Sequence, residues 1–345
     1  MEQPIVSIVM PCRNEQAWIR GCLESVAHSD YPKDRLEVLV VDGMSDDGTR
    51  RIVEAFAARH RYVRLLDNPK RIAPAAMNVG IREARGAVIV RMDAHSEYPA
   101  DYVSSLVKWL TESGADNVGG VWLTKPAGTT ATARAIAAGL AHRLGVGNAH
   151  FRIGSSRPRW VDTVPFGCYR REVFDRIGLF DEELVRNQDD ELNLRLKKHG
   201  GRILLVPDVQ STYYPRDSLG KLWRMYYQYG YFKPLVVKKV GGVKTFRQLV
   251  PSLFLVALTL SLALALAVPT AWWLPASVLG GYLSALLAGA VSVGRREGLA
   301  CGAAMLLVFP TLHFAYGCGY LHGMMRFLNF GKRDMSPISD APLSR

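Results

Sequence analysis

The sequence predicts an α/β protein in which a mostly parallel β-sheet domain precedes about three membrane-spanning helices. Two observations lead to this class. In the first 125 residues, short apolar runs alternate with helical patterns in units of roughly 30 residues, which is typical of parallel strands joined by right-handed crossovers. From residue 249 on, three stretches without Lys, Arg, Asp or Glu are each long enough to cross a bilayer. The mean hydropathy of +0.04 therefore averages a polar part and an apolar part.

The predicted elements follow in order along the chain. Apolar runs rich in Val, Ile and Leu predict buried strands at 6–10, 36–41, 63–66 and 87–92. Helical patterns predict the helices between and after them at 16–28, 46–60, 74–84 and 101–112. Further along we expect a strand leading into a loop at 162–167, and helices at 170–177 and from 187 to about 200.

This order of elements divides the chain into a sheet domain and a membrane part. The sheet domain is predicted at 1–215, with a first half at 1–125 and a second half at 126–215. A juxtamembrane amphipathic segment at 216–247, membrane helices within 248–328 and a tail at 329–345 complete the prediction. Within 218–239, six aromatic and five basic residues alternate, which favours an interfacial helix at headgroup depth over a nucleic-acid-binding segment.

The three apolar runs lie at 249–268, 271–293 and 299–325. Basic residues precede the first run (Lys238, Lys239, Lys244 and Arg247), and Arg295 and Arg296 separate the second from the third, so the positive-inside rule places the sheet domain in the cytoplasm. Residues 1–20 lack the apolar core of a signal peptide, which agrees with that side. Lys332 and Arg333 in the tail also favour the cytoplasmic side. Three spans, however, would place the tail on the opposite side of the membrane from the sheet domain. The third run, interrupted by Pro310, is also compatible with a re-entrant segment.

Composition narrows the classes of function. Apolar residues make up 49% of the 345 residues and charged residues 21%, which excludes a disordered chain and a collagen-like chain. The net charge of +12 predicts an acidic partner: a phosphate group, nucleic acid or an anionic membrane surface. The five cysteines show no zinc-binding spacing and are expected to be free thiols in a cytoplasmic domain.

Polar residues come directly after the predicted strands, where open α/β sheets bind ligands. The first strand leads into Pro11, Arg13, Asn14 and Glu15, and the second leads into Asp42. No phosphate-binding loop of the G-x-x-x-x-G-K type and no G-x-G-x-x-G motif follows the first strand, which argues against P-loop enzymes and dinucleotide oxidoreductases. An acidic edge instead suits a nucleotide whose base and ribose are bound by carboxylates and whose diphosphate is neutralised by a cation.

Five segments together resemble the glycosyltransferase family 2 enzymes of the GT-A fold: 6–15, 41–49, 73–80, 93–95 and 180–196. Further segments, such as VGNAHFRIG and NQDDELNLRL, are similar to exopolysaccharide glucosyltransferases of the succinoglycan type. The similarity covers roughly residues 4–235 closely and the membrane part more loosely. As a set these motifs are specific, whereas most of them are weak singly.

The resemblance implies a nucleotide-binding set with structural alternatives. Asp42 would accept hydrogen bonds from the uracil or ribose, or it caps a turn. Asp47 and Glu15 would lie near the nucleotide, or they favour a helix N-terminus. Arg71 would meet phosphate or only solvent, and Asn78 lies in the family's third nucleotide-contact region. The whole predicted set is Pro11, Arg13, Asn14, Glu15, Asp42, Asp47, Arg71, Asn78 and Asp93.

The segment Asp93-Ala94-His95 stands where the family has D-x-D, so the resemblance implies a site for Mg²⁺ or Mn²⁺. Asp93 supplies a carboxylate oxygen, which both ions favour. His95 departs from the usual aspartate. It is an acceptable ligand for Mn²⁺, or it contacts the diphosphate without binding the metal.

The acceptor side centres on the helix that begins near residue 187. In the family a Glu-Asp pair at this helix start supplies the catalytic base, and here Gln188 and Asp189 occupy those positions. A helix N-terminus favours an ionised carboxylate, as a base requires, although capping alone is the structural alternative. Asp189 is the predicted base and Asp190 the second candidate. Gln188 and Trp160 are predicted to contact the acceptor.

These expectations together describe an inverting, metal-dependent glycosyltransferase of the cell membrane, with its catalytic domain in the cytoplasm. It would move a hexose from a nucleotide-sugar donor, UDP-glucose first among them, to a lipid-linked saccharide in cell-surface polysaccharide synthesis. Its partners would be donor, acceptor and membrane lipids, without nucleic acid. The Q-x-x-R-W motif of processive synthases is absent, since Tyr-Gly-Tyr follows Gln228. The alternatives are a polyprenyl-phosphate sugar synthase and a nonenzymatic membrane scaffold with a degenerate nucleotide fold.

Overall fold

The structure is a computed structural model that describes residues 3–243 and 245–328. Lys244 and the predicted tail with Lys332 and Arg333 lie outside the described residues. The strands are β1 (Val6–Cys12), β2 (Leu36–Asp42), β3 (Val63–Asp67), β4 (Val88–Arg91), β5 (Asn117–Thr124), β6 (Arg159–Trp160), β7 (Cys168–Arg170) and β8 (Ile203–Tyr213). The helices are α1 (Ile19–Ala27), α2 (Thr49–Ala57), α3 (Ala73–Glu83), α4 (Tyr102–Ser113), α5 (Ala131–Leu140), α6 (Arg143–Val146), α7 (His150–Ile153), α8 (Arg171–Ile177), α9 (Gln188–Lys198), α10 (Leu219–Val240), α11 (Val250–Ala267), α12 (Trp273–Glu297) and α13 (Leu299–Phe327).

The eight strands form one sheet in the order β3-β2-β1-β4-β7-β5-β8-β6. β1 pairs in parallel with β2 and β4, and β2 pairs in parallel with β3. β7 lies antiparallel between β4 and β5, and β6 pairs antiparallel with β8. The predicted α/β class with a mostly parallel sheet is confirmed for the first four strands, and the antiparallel strands extend that sheet.

The central strands are buried because helices cover both faces of the sheet. Every position of β2 is buried, as expected for a near-continuous apolar run in a parallel sheet. α3 packs closely on β1, since a Cβ placed on Gly80 would lie 2.3 Å from the side chain of Val9. In the register, Cys12 lies opposite Asp42 and Asp42 opposite Asp67. The carboxyl ends of β1, β2 and β3 therefore meet at one edge.

Local differences from the predicted elements are confined to element ends and to the second half. β1 continues to Cys12, so Pro11 lies in the strand rather than after it. α1 and α2 start three residues later than predicted, because turns occupy residues 16–18 and 46–48. Residues 162–167 form an irregular segment and contain no strand. The long strands β5 and β8 were not predicted. The five cysteines, all within the described residues, are free.

Two compact units make up the chain. The first comprises the chain up to Leu123 together with Gly154–Tyr213, and it contains the sheet. The second comprises Thr124–Ile153 and the chain from Tyr214 on. The end of the first unit lies close to the predicted boundary at 215. Residues 124–153, which the sequence assigned to the sheet domain, group with the C-terminal helices instead.

The second unit contains three helices that are long and apolar enough to cross a membrane: Val250–Ala267, Pro269–Glu297 and Leu299–Leu328. α13 continues as one helix through Pro310. Glycines let neighbouring helices approach α13 closely. A Cβ on Gly319 would lie 2.1 Å from the carbonyl oxygen of Tyr227 in α10, and one on Gly139 of α5 would lie 2.8 Å from Val308.

Candidate active site

Loops at the carboxyl ends of the parallel strands and at the start of α9 form the candidate site. Among the described residues, four of the non-glycine residues with positive φ fall in these loops, namely Asn14, Met44, Arg71 and Asn187, and Phe166 lies just before β7. Each such conformation costs of order 1–3 kcal/mol and persists only where the surroundings hold it. Backbone strain therefore concentrates at the edge of the sheet where the sequence predicted a ligand.

Asp42, at the end of β2, is fully buried and bound by its own loop. Its carboxylate accepts hydrogen bonds from the backbone N–H of Ser45 at 2.9 Å and from Nη1 of Arg50 at 2.8 Å. The hydroxyl of Ser45 donates to the same carboxylate. Arg50 also pairs with Asp67 at 2.8 Å, which joins the ends of β2 and β3. These contacts are those of a turn cap, the structural alternative for Asp42, and its contact with a nucleotide stays a prediction.

The loops after β1 and β2 bind each other. Oδ1 of Asn14 accepts a hydrogen bond from the backbone N–H of Asp46 at 3.1 Å. Asp47 accepts from the backbone N–H of Thr49 at 2.9 Å and of Gln16 at 3.1 Å, and so caps the start of α2. Burial raises the pKa of Asp47, but these hydrogen bonds outweigh that effect and hold its pKa below the ordinary value. Asp47 and Asn14 keep exposed surface toward the site edge.

Asn78 and Arg71 differ sharply in their surroundings. The Asn78 side chain is buried, donates to the Phe180 carbonyl and to Oε1 of Glu182 at 2.9 Å each, and accepts from the Phe180 N–H. Its amide therefore holds the segment after α8 against α3, and its contact with a nucleotide stays a prediction. Arg71 is exposed with a φ of 59°. Arg13 is half-buried, with its side chain 3.2 Å from the Cβ position of Gly43.

Asp93 and His95 lie in the loop that follows β4. The backbone N–H of Asp93 donates to the hydroxyl of buried Tyr98 at 2.7 Å, which fixes the start of this loop. Nδ1 of His95 lies 3.4 Å from Oε1 of Glu15, whose side chain is nearly buried. The structure therefore brings His95, one of the two predicted metal residues, to Glu15 in the loop after β1.

Arg91, the last residue of β4, joins Asp93 to the start of α9. Its Nε and Nη2 bind Oδ1 of Asp93 at 3.1 Å and 3.0 Å, and its Nη1 binds Oδ1 of Asp189. Arg91 is 6% exposed, whereas the side chain of Asp189 is 31% exposed. The structure thus places the predicted base beside the predicted metal carboxylate, with one guanidinium between them.

The surroundings of Asp189 set the proton affinity of its carboxylate. Burial is the largest influence and raises the pKa of Asp189, and nearby Asp93 and Asp190 raise it further, while Arg91 acts in the opposite direction. The net result is a pKa above the ordinary aspartate value. A partly exposed carboxylate of this kind is a stronger base than a free one and remains accessible to a substrate.

α9 is held in place by polar contacts on its buried side. Asn193, one helical turn after Asp189, accepts a hydrogen bond from Asn117 of β5 at 2.8 Å and donates to Thr163 at 2.9 Å. Arg195 binds both carboxylate oxygens of Glu191 at 2.8 Å. Gln188 is buried at the helix start, and Asp190 is half-buried beside Asp189. These contacts fix α9, and with it Asp189, relative to the sheet.

Trp160, predicted to contact the acceptor, lies elsewhere. It pairs with Leu204 near the start of β8, and the guanidinium of Arg202 lies 4.6 Å from the centre of its ring. Arg202 also binds the carbonyls of Ser113 and Gly114, which precede β5. Trp160 is therefore at the end of the sheet where β5 and β8 begin, opposite the end where β4 leads into Asp93.

The residues of the site fit a cation that is bound mainly by the phosphate groups of the substrate. Within residues 3–243 and 245–328, no group of three or more His, Cys, Asp or Glu side chains is placed to hold a metal ion. Arg91 binds Oδ1 of Asp93, which leaves Oδ2 for a cation. Mg²⁺ in phosphate-containing sites often uses one or two carboxylates together with substrate phosphates. Asp93, with His95 as a second metal ligand, is compatible with that mode of binding.

Sequence reasoning missed two arginines of the site. Arg91 is the single charged residue in the apolar run 87–92, and an arginine in a buried strand requires a carboxylate partner. That signal was present in the sequence. Arg50 had no comparable signal, because its partners Asp42 and Asp67 come together only through the pairing of β2 with β3.

The fold and site together define a glycosyltransferase of the GT-A fold. The family model "Glycosyl transferase family 2" matches residues 7–178. The succinoglycan biosynthesis protein ExoA of Rhizobium meliloti is 32% identical over 93% of this chain and 95% of its own. The chain therefore belongs to glycosyltransferase family 2, as the sequence predicted.

Two further comparisons extend this result. A dolichyl N-acetyl-α-D-glucosaminyl phosphate 3-β-D-2,3-diacetamido-2,3-dideoxy-β-D-glucuronosyltransferase of Methanococcus voltae is 27% identical over 68% of this chain and 74% of its own. The solved structure of the mannosyltransferase PcManGT from Pyrobaculum calidifontis, in complex with GDP-Man and Mn²⁺, covers 91% of this chain and 86% of its own. At a TM-score of 0.58 and 23% identity, it shows the shared fold.

Proposed function

We propose that the protein is an inverting, metal-dependent hexosyltransferase that transfers a sugar, glucose from UDP-glucose first among the candidates, to a hydroxyl of a lipid-linked saccharide. One observation carries this proposal: Asp189 lies partly exposed at the start of α9 and is tied through Arg91 to Asp93. A base and a donor-side carboxylate that bind the same guanidinium suit a direct displacement at the anomeric carbon.

In this reaction Asp189 acts as the base. Its carboxylate removes the proton of the acceptor hydroxyl while the hydroxyl oxygen attacks the anomeric carbon from the face opposite the nucleotide. The bond from the anomeric carbon to the diphosphate oxygen breaks, and the nucleoside diphosphate leaves with its electron pair. The new linkage has inverted configuration, and no covalent intermediate with the protein forms. The raised pKa of Asp189 favours this proton transfer.

Asp93, with His95 beside it, would hold the diphosphate end of the donor together with Mg²⁺ or Mn²⁺. A divalent cation there neutralises the charge that develops on the departing diphosphate. Asp93 is fixed by Arg91 on its carboxylate and by Tyr98 on its backbone, so it offers a preorganised oxygen. Arg13, Arg71 and the exposed surface of Asn14 and Asp47 border the same edge and would contact the nucleotide. Glu15 would support this site indirectly, through its contact with His95.

The three apolar helices support a membrane location, with the sheet unit on the cytoplasmic side as the positive-inside pattern predicts. The name of the Methanococcus voltae relative, which describes transfer to a dolichyl-linked glucosaminyl phosphate, supports a lipid-linked acceptor. The resemblance to a succinoglycan biosynthesis protein supports a role in cell-surface polysaccharide synthesis.

A donor panel tests the proposal. The purified full-length chain in lipid vesicles is mixed with MnCl₂ and one of several nucleotide sugars. Extracted lipid-linked oligosaccharides serve as acceptors, and products are read by mass spectrometry. We expect a mass increase of one hexose with UDP-glucose and none with EDTA present. Absence of transfer from every donor, together with absence of UDP binding by calorimetry, would favour a nonenzymatic scaffold and overturn the proposal.

A further inference from the structure

Arg91 occupies a position between the two carboxylates that the proposed reaction uses. It ends β4, it is 6% exposed, and its backbone N–H donates to the Gly167 carbonyl at 3.0 Å. Its side chain binds Oδ1 of Asp93 through Nε and Nη2 and Oδ1 of Asp189 through Nη1. These partners belong to different elements, since Asp93 follows β4 and Asp189 lies on α9. The guanidinium is thus the shared contact of the donor side and the acceptor side.

The shape of the guanidinium matters as much as its charge. Its five N–H donors lie in one plane at fixed angles, so it can bind two carboxylates in a defined relative orientation. A lysine in the same place would keep the charge but would act as a point charge with no fixed orientation. Arg91 engages Oδ1 of each carboxylate, so the second oxygen of each remains for a ligand: a cation at Asp93 and an acceptor hydroxyl at Asp189.

We propose that Arg91 is a positioning residue that sets the distance and orientation between Asp93 and Asp189, and so aligns the acceptor hydroxyl with the anomeric carbon of the donor. This inference rests on the proposed function. Arg91 itself touches neither substrate. A base displaced by about 1 Å costs about 10²-fold in rate even when every substrate contact is kept.

Arg91→Lys tests the inference against a matched control. Arg64 of β3 also bridges two carboxylates, at 3.3 Å to Glu37 and 2.8 Å to Glu83, near the other end of the strands. We expect Arg91→Lys to lower kcat by about 10²-fold while KM for UDP-glucose and the calorimetric Kd for UDP with MnCl₂ stay within about threefold. Arg64→Lys should leave kcat within about twofold of the wild type.

A double-mutant cycle identifies the route of the effect. If Arg91 acts through Asp189, then Arg91→Lys should lower the residual kcat of Asp189→Asn by less than about threefold. An equal loss in both backgrounds, a wild-type kcat in Arg91→Lys, or a Kd for UDP that weakens as much as kcat falls would each overturn the inference. A merely structural role would lower Tm and leave kcat per folded molecule unchanged.

A second variant covers the case in which Arg91→Lys does not fold. Asp189→Glu retains Arg91 and moves the same base by one methylene group, so it should also lower kcat by about 10²-fold with an unchanged Kd for UDP. Full activity in Asp189→Glu would contradict the required alignment. Absence of transfer by the wild-type protein would instead refute the proposed function, so the two failures are distinguishable.

Discussion

Two carboxylates at the same edge of the sheet have opposite surroundings. Asp42 is fully buried, and its oxygens accept hydrogen bonds from Ser45 in the following loop and from Arg50 at the start of α2. Asp189 is 31% exposed, and Arg91 binds one of its oxygens. The family resemblance predicted a functional role for both, with Asp42 as a nucleotide contact and Asp189 as the base.

The difference separates a buried carboxylate that holds a loop from one that is exposed enough to reach a ligand. Within the described residues, the Asp42 loop supplies its own donors and leaves no exposed carboxylate surface. The Asp93–Asp189 group is fixed on its buried side by Arg91, Tyr98 and the contacts of α9, and it remains open on the other side. Substitutions should therefore affect stability in the first region and transfer in the second.

Asp189→Asn should have the largest effect. Loss of the base is expected to lower transfer by about 10³-fold, while the Kd for UDP and Tm remain near their wild-type values. Asp101→Asn is the matched control, because Asp101 is an aspartate at the start of α4. If Asp189 only caps its helix, the two variants will behave alike. Near-normal transfer in Asp189→Asn would instead favour a phosphate acceptor, which needs no base.

Asp42→Asn should show the opposite pattern. An amide in place of the buried carboxylate cannot accept every hydrogen bond that Asp42 accepts, and we expect a cost of about 1–3 kcal/mol in the free energy of unfolding, seen as a lower Tm of the purified chain. The transfer rate per folded molecule should change little at a temperature well below Tm. A normal Tm with lost UDP binding would show that Asp42 meets the nucleotide and would remove the contrast between the two regions.

Asp93→Ala should weaken Mn²⁺-dependent binding of UDP by about 100-fold. Calorimetry with and without MnCl₂ measures this effect, and the variant should lose the difference between the two conditions. Unchanged Mn²⁺ dependence would contradict the metal role of Asp93. The same titration with Mg²⁺ gives the preferred ion.

The pH dependence of transfer should report the raised pKa of Asp189. The base works only when ionised, so kcat/KM should fall about tenfold per pH unit on the acid side. Because the pKa of Asp189 lies above the ordinary aspartate value of 3.8, the fall should begin at a higher pH than for an unperturbed aspartate. An acid limb centred at or below 3.8 would contradict the assignment of the base.

Trp160→Ala should have the smallest effect. Trp160 lies beside Arg202 at the far end of the sheet, where it is 52% exposed and borders an open cavity of about 410 Å³ with Arg157, Pro158 and Arg159. Loss of the cation–π contact should cost about 0.5–1 kcal/mol of stability and leave KM for the acceptor unchanged. A raised KM for the acceptor in Trp160→Ala would support the predicted contact between Trp160 and the acceptor.

The first half of the sheet could be predicted from sequence because β1, β2 and β4 are buried apolar runs and each of the first four strands is followed by its own helix. The positions of Asp93 and Asp189 at the site followed from the family resemblance. The contacts of Asp42 with Arg50 and of Asn78 with Phe180 could not be predicted, since these partners meet only after folding. β5, β8 and the grouping of 124–153 depend on long-range packing that local periodicity does not contain.

The departure of the chain from the sheet after β5 has a practical consequence for protein production. Thr124–Ile153 belongs to the same unit as α10–α13, and Gly139 of α5 approaches Val308 of α13. A truncation after residue 215 would therefore retain α5 without α13 and would expose Ala133, Ile136 and Leu140, which are buried in the intact protein. Such a fragment should aggregate. A soluble catalytic fragment requires a second deletion, in which a short polar linker replaces residues 124–153.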